Sequence, residues 1–121
     1  MLIKKNAVTG LAEMHMHDME LGNIEINYVD NIVVIYLFDD RKRKLKLIFK
    51  CMQYFSIDGF EPWGAGMYVN DVRAITTDND IKTMFLGGNM VSSEAFVTEI
   101  LLNSGDIVRV LSTGIQVDKM T

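Results

Sequence analysis

The segment His15-Met16-His17-Asp18 holds the residues of this chain that are best suited to chemistry. On an extended backbone alternate side chains point to the same side, so both imidazoles would face one way with a carboxylate beside them. Imidazole and carboxylate groups are ligands of divalent transition metals. One hypothesis is therefore a small metal-binding β-barrel or a metal-dependent enzyme, with a metal site formed by His15, His17 and Asp18. These are the only two histidines of the chain, so a further carboxylate would have to complete the ligand shell.

The same segment also has a purely structural interpretation. One imidazole would pack at the end of a sheet, while Asp18 would accept backbone N–H groups at a turn. Other catalytic patterns are absent, because no Gly-x-Ser-x-Gly sequence occurs and Gly64-Ala65-Gly66 lacks the lysine of a phosphate-binding loop. A protein without enzymatic activity, and without a cofactor, is the favoured expectation.

The histidine pair also resembles the first metal-binding motif of the cupins, which are β-barrel proteins. In that family a glycine precedes the pair and a glutamate follows it, as Gly10 and Glu20 do here, and Pro62-Trp63-Gly64 is similar to the second motif. That motif also supplies a third histidine, which this chain lacks after His17, so the cupin metal site is not carried over.

Composition and charge exclude several classes of protein. The chain has 121 residues, a hydrophobic fraction of 49% and a net charge of −4. One globular domain covering residues 1–121 is expected, and the acidic balance disfavours nucleic acid as a partner. No run approaches the ~18 apolar residues of a membrane span, and the first residues lack the pattern of a signal peptide, so a cytoplasmic location is expected.

Cys51 is the only cysteine and is expected to be a small buried hydrophobe.

Alternation of apolar and polar residues predicts the fold. Ile24, Ile26 and Tyr28 alternate with polar residues, as do Leu45, Leu47, Phe49 and Cys51, and each run predicts a strand with one solvated face. The run 32–38 is apolar throughout, which predicts a central strand covered on both sides. Further strands are predicted at 67–76, 81–86, 96–102, 106–110 and 115–117, separated by turn residues. The expected fold is mainly β, an antiparallel sandwich or barrel-like sheet of about seven short strands with at most one short helix.

Two stretches leave alternatives open. The alternation changes phase near 52–55, which predicts a bulge or a bend. Residues 56–66 are expected to form a long turn because they contain Asp58-Gly59 and three further glycine or proline positions. Residues 92–102 could begin a helix at Ser92-Ser93-Glu94, but the Asn103-Ser104-Gly105 turn favours a strand.

The second half of the chain carries the net charge. Residues 1–60 have eight basic and eight acidic residues, whereas residues 61–121 have four and eight. We expect an acidic surface that steers a basic protein partner, with Trp63 as an apolar anchor. The candidate acidic residues are Glu61, Asp71, Asp78, Asp80, Glu94 and Glu99. A homodimer is a further possibility, since exposed strand edges favour self-association.

A resemblance supports association with a protein partner. His17-Asp18 precedes a strand pair, and the third strand ends in the apolar-aromatic segment 47–55. This pattern, over about the first half of the chain, resembles small bacterial β-rich families, some of the toxin-immunity type. The turn at 102–107 also fits their usual ending. The resemblance implies a protein that neutralises a toxin by binding it, with no catalytic residues to transfer.

Overall fold

The structure, a computed structural model, describes residues 1–59, 68–85 and 91–120. These residues form nine strands, two short helices and one 3-10 turn at Lys5–Ala7. The strands are β1 (Leu2–Ile3), β2 (Glu20–Asn27), β3 (Ile32–Phe38), β4 (Lys44–Lys50), β5 (Tyr54–Asp58), β6 (Val69–Ile75), β7 (Phe96–Leu102), β8 (Ile107–Ser112) and β9 (Gly114–Met120). The helices are α1 (Gly10–Glu13) and α2 (Asp78–Met84).

The strands form two antiparallel sheets, which confirms the mainly β prediction. The five-stranded sheet, called sheet A, has the order β1-β9-β4-β3-β2, and the four-stranded sheet, called sheet B, has the order β5-β8-β7-β6. Side chains alternate between the two faces of each strand, so each sheet turns one apolar face towards the other. The shared core contains Val33, Leu47 and Phe49 from sheet A and Ile100 and Val110 from sheet B.

The strand β3 departs in part from its prediction. Its inward residues Val33, Ile35 and Leu37 are fully buried, as expected for a central strand. Its outward residues are only half-buried, and β3 makes most of its contacts with the neighbouring strands β2 and β4. No described element forms a second layer over this outer face, so the prediction of cover on both sides is wrong for the described residues.

The phase change after β4 is a bend at Cys51, one of the two predicted alternatives, and the chain crosses from one sheet to the other there. Cys51 adopts a left-handed conformation, with φ of 51°, and is exposed, so the prediction that it is buried is wrong. Just beyond it, Met52 N–H donates to Asn31 O in the turn between β2 and β3, and Gln53 N–H donates to Leu111 O in sheet B. The chain then forms β5 at Tyr54–Asp58, where part of a long turn was predicted.

The predicted strand at 81–86 is a helix where it is described. Thr77 precedes α2, and its hydroxyl donates to the Asp80 carboxylate. Asp78 and Asp80 occupy the first turn, where negative charge interacts favourably with the helix dipole. Ile81 packs under α2 against Val97 in a small second core on the outer face of sheet B. The open choice at 92–102 is settled as a strand from Phe96 onward.

Candidate functional site

The predicted metal-binding residues lie on a surface segment that joins the two sheets. Met16 is buried in the core and anchors this segment, while His15, His17 and Asp18 are exposed. His15 and Asp18 both have left-handed backbones, with φ of 50° and 68°. Backbone hydrogen bonds fix the position of the segment beside β6: Asp18 N–H donates to Val69 O, and Val69 N–H donates to Met19 O, both at 2.8 Å.

The three residues line one groove of about 580 Å³. His17 Nδ1 lies 3.1 Å from Asp18 Oδ2. The opposite side of the groove is the hairpin between β3 and β4, which contributes Asp39 and Arg43. The structure therefore places His17 and Asp18 in contact and His15 on the lining of the same groove, which also carries charges of both signs.

The carboxylate across the groove is already occupied by its own hairpin. Asp39 Oδ1 accepts the backbone N–H groups of Arg41 and Arg43, and Asp39 Oδ2 accepts Arg43 Nε at 2.7 Å. Desolvation would raise the pKa of Asp39, but these hydrogen bonds and the charge of Arg43 hold that pKa below its usual value. Asp39 therefore fixes the hairpin rather than facing the histidines as a free ligand.

A metal ion would need more ligands than this arrangement brings together. Within residues 1–59, 68–85 and 91–120, no group of three or more His, Cys, Asp or Glu side chains is placed to hold one. A structural zinc site takes four ligands and a catalytic one usually three. The metal site at His15, His17 and Asp18 thus stays a prediction.

The predicted acidic residues are spread over the surface of sheet B and its helix. Asp71 is exposed on the edge strand β6, while Asp78 and Asp80 are exposed in the first turn of α2, beyond the other end of β6. Glu61 and the predicted anchor Trp63 lie outside the described residues. The structure therefore does not gather these candidates into one cluster of described residues.

One of these carboxylates is paired within the molecule. Lys5 Nζ donates to Asp78 Oδ1 at 2.7 Å and to Ser93 O at 2.9 Å. The hydrogen bond and charge of Lys5 lower the pKa of Asp78. This pair joins the N-terminal segment to α2 and leaves Asp78 less available to a basic partner.

Glu99 is buried, so the expectation that it belongs to an acidic surface is wrong. It is 4% exposed on the outer face of β7 and lies between two arginines from the neighbouring strands. Arg73 Nη2 is 3.2 Å from Glu99 Oε1, and Arg109 Nε is 2.6 Å from Glu99 Oε2. Arg109 also binds Asp58, so the network crosses all four strands of sheet B. Within this network the two carboxylates balance the charges of the two arginines.

The surface that sequence reasoning missed is the outer face of β3 and β4. Register pairs Val34 with Ile48, Tyr36 with Lys46, and Phe38 with Lys44 on this side of sheet A. We call these residues the lysine–aromatic face: Val34, Tyr36, Phe38, Lys44, Lys46 and Ile48. All six are half-buried. The sequence pattern that could have predicted this face is the fully apolar run 32–38 followed by the predicted strand at 44–51, which begins with alternating lysine and leucine.

The lysines of this face interact with aromatic rings. Lys44 Nζ lies 5.0 Å from the ring centroid of Tyr36 and 5.7 Å from that of Phe38. Lys46 Nζ lies 5.9 Å from the Tyr36 centroid. Among the described residues, neither lysine forms an ion pair with a carboxylate. Both ammonium groups therefore lie over aromatic rings, and the register of sheet A places Asp118 of β9 opposite Lys46.

No protein-family model and no curated protein matches the chain. Neither described helix is long and apolar enough to cross a membrane. The geometry is thus the basis for a functional assignment.

Proposed function

We propose that this protein acts by protein–protein association through the lysine–aromatic face, and that it has no catalytic role. The observation that carries the proposal is that Lys44 and Lys46 lie over aromatic rings without a carboxylate partner among the described residues. Neutralisation of a toxin, which the resemblance to immunity-type families implies, is one function of this class.

The chemistry of the face defines the partner. Tyr36 and Phe38 offer apolar area, and aromatic residues are enriched among those that dominate binding energies. Carboxylates of a partner would pair with Lys44 and Lys46 and speed the encounter. We therefore expect an acidic protein surface as the partner of this face, whereas the sequence had favoured an acidic surface that meets a basic partner.

Charges around the face favour a protein over a nucleic acid. Glu20 pairs in register with Phe38, and Glu25 pairs with Val34, so both carboxylates border the face on β2. Asp118 pairs with Lys46 in register on β9. A phosphate backbone needs clustered positive charge for affinity, whereas this face offers two lysines bordered by carboxylates. A protein partner can instead place single carboxylates opposite Lys44 and Lys46.

The test compares charge variants of the whole protein as baits. The Lys44→Glu/Lys46→Glu variant reverses both charges, and Lys82→Glu on the exposed surface of α2 is the matched control. Proteins captured from the native host are identified by mass spectrometry, and a captured protein is then purified and titrated directly at several salt concentrations.

We expect one acidic protein that binds wild type and Lys82→Glu, loses at least tenfold in affinity with the double variant, and binds more weakly as salt rises. A partner that binds the double variant as tightly as wild type would overturn the proposal. So would tight binding of a labelled single-stranded oligonucleotide, which would assign the face to nucleic acid.

A further inference from the structure

The far end of the hairpin between β2 and β3 exposes three apolar residues together. Ile26 is 39% exposed, Tyr28 is 78% exposed and Val29 is 92% exposed. Ile26 pairs with Val33, so it lies on the core side of sheet A but beyond the part that sheet B covers. The turn itself is ordered by two hydrogen bonds: Asn27 Nδ2 donates to Asp30 Oδ2, and Asp30 N–H donates to Asn27 Oδ1.

These residues lie on an edge of sheet A that no described strand covers at positions 24–28. Among the described residues, β2 is the last strand of sheet A and pairs with β3, while an isolated bridge joins Glu20, at the start of β2, to Tyr68. Edge strands of monomers are usually protected by charged side chains, proline or a bulge. A register shift lies between Leu21 and Ile24, but the stretch 24–28 pairs regularly as far as Asn27, contains no proline and carries Glu25 as its one charged side chain.

We infer that two copies of this chain pair antiparallel along residues 24–28, the end of β2 and the first residue of its turn, around a two-fold axis at Ile26. In this register Ile26 lies opposite Ile26 of the second copy, and Ile24 lies beside Tyr28 of the second copy. Glu25 then faces Asn27 of the second copy. Apolar residues therefore meet apolar residues on the core side, and each carboxylate meets a neutral amide.

Charge and symmetry select this register. Residues directly opposite each other in an antiparallel pair point to the same face of the sheet. The two core faces therefore lie on the same side of the joined sheet only if the residue at the two-fold axis is opposite the same residue of the second copy. An axis at Glu25 would set two carboxylates directly opposite each other, which is destabilising. An axis at Ile26 avoids that repulsion and buries the most exposed apolar residue of the strand.

The contact goes beyond the proposed function and does not depend on it. It would join two copies of sheet A into one sheet of ten strands, with a lysine–aromatic face on each half. The pairing covers a short stretch, so the dimer is expected to be reversible and to depend on protein concentration.

The first test is sedimentation equilibrium of wild type over a wide range of concentration. We expect a monomer–dimer equilibrium that Ile26→Lys shifts at least tenfold towards monomer. The matched control is Leu2→Lys, because Leu2 is also exposed and lies on β1, the opposite edge of sheet A. A wild type that stays monomeric throughout, or a dimer lost in Leu2→Lys and retained in Ile26→Lys, would overturn the inference.

The second test reports the register and does not require a disruptive variant. Opposite Cα atoms in an antiparallel pair lie about 4.5–5.5 Å apart, within the range of a disulfide. In a Cys51→Ser background, Ile26→Cys should therefore form an intermolecular disulfide on mild oxidation, whereas Glu25→Cys, whose own copy is offset along the strand, should not. Cross-linking of Glu25→Cys alone, or of neither variant, would contradict the proposed axis.

Discussion

The ring of Phe38 lies directly against the backbone of Gly22. A Cβ atom at Gly22 would overlap Phe38 Cε2 and lie 3.2 Å from Tyr36 O. Gly22 lies within the register shift of β2, so the absence of a side chain there allows the ring to rest on the neighbouring strand. This contact fixes one of the two rings beneath Lys44.

Gly22→Ala should therefore destabilise the protein by about 1–2 kcal/mol, because the new methyl group overlaps the ring and the Tyr36 carbonyl lies close behind it. Chemical denaturation measures the effect. The penalty should shrink in a Phe38→Ala background, where the main obstruction is gone. Equal penalties in the two backgrounds would show that the two residues are not coupled.

Glu99→Gln should cost about 2–4 kcal/mol of unfolding free energy, since it leaves two arginines facing a neutral amide in a largely buried position. Asp71→Asn is the matched control: it makes the same change on an exposed strand position and should stay within about 0.5 kcal/mol of wild type. Denaturant melts of both variants decide the point, and similar values for the two would argue against the network.

The pair of Lys5 and Asp78 should make stability depend on pH at the acid end. The pKa of Asp78 is lowered from an ordinary value of 3.8 by the hydrogen bond and charge of Lys5. Its stabilising effect is therefore complete above about pH 3.8 and is lost as pH falls through the lower, folded-state value.

An NMR titration of the Asp78 carboxyl tests this relation. Lys5→Met should raise the pKa of Asp78 towards its ordinary value. The pKa of Asp39 should not change, because its hydrogen bonds come from Arg41 and Arg43. An unchanged Asp78 titration in Lys5→Met would mean that the ion pair does not form in solution.

His15→Ala/His17→Ala should leave the fold and the association through the lysine–aromatic face intact, because both imidazoles are exposed. Thermal melts and the partner titration measure this. Elemental analysis of the same proteins addresses the metal hypothesis directly: stoichiometric zinc, iron or manganese in wild type that disappears in the double variant would establish a metal site.

The strands that the sequence predicted well are those with local signals. The run 32–38 matches β3 at both ends, because an uninterrupted apolar run between turn residues is typical of a buried strand. The prediction 96–102 matches β7, and the Asn103-Ser104-Gly105 turn marks its end. The segment 81–86 was mistaken for a strand because Ile81 and its apolar neighbours carry no clear period. The Thr77–Asp80 hydrogen bond that begins α2 involves residues that sequence analysis had assigned to a turn.

The candidate site depends more on long-range contacts than on motifs. Sequence reasoning brought His15, His17 and Asp18 together because they are neighbours in the chain. It could not foresee that Glu99 is buried, because Arg73 and Arg109 reach it from two other strands. The lysine–aromatic face was missed for the same reason, since the alignment of Tyr36 with Lys46 follows from the register of two strands.

Val69 of β6, in sheet B, exchanges backbone hydrogen bonds with Asp18 and Met19, which directly precede β2 of sheet A. These bonds link the two sheets through the main chain. The two sheets therefore cannot separate beside β6 without breaking main-chain hydrogen bonds as well as apolar contacts. The amide protons of Asp18 and Val69 should consequently exchange with solvent almost as slowly as the amide protons of the core strands. This is expected even though His15 and His17, next to Asp18, are exposed. These hydrogen bonds would keep the segment that carries His15 and His17 rigid if a ligand or partner bound in the groove.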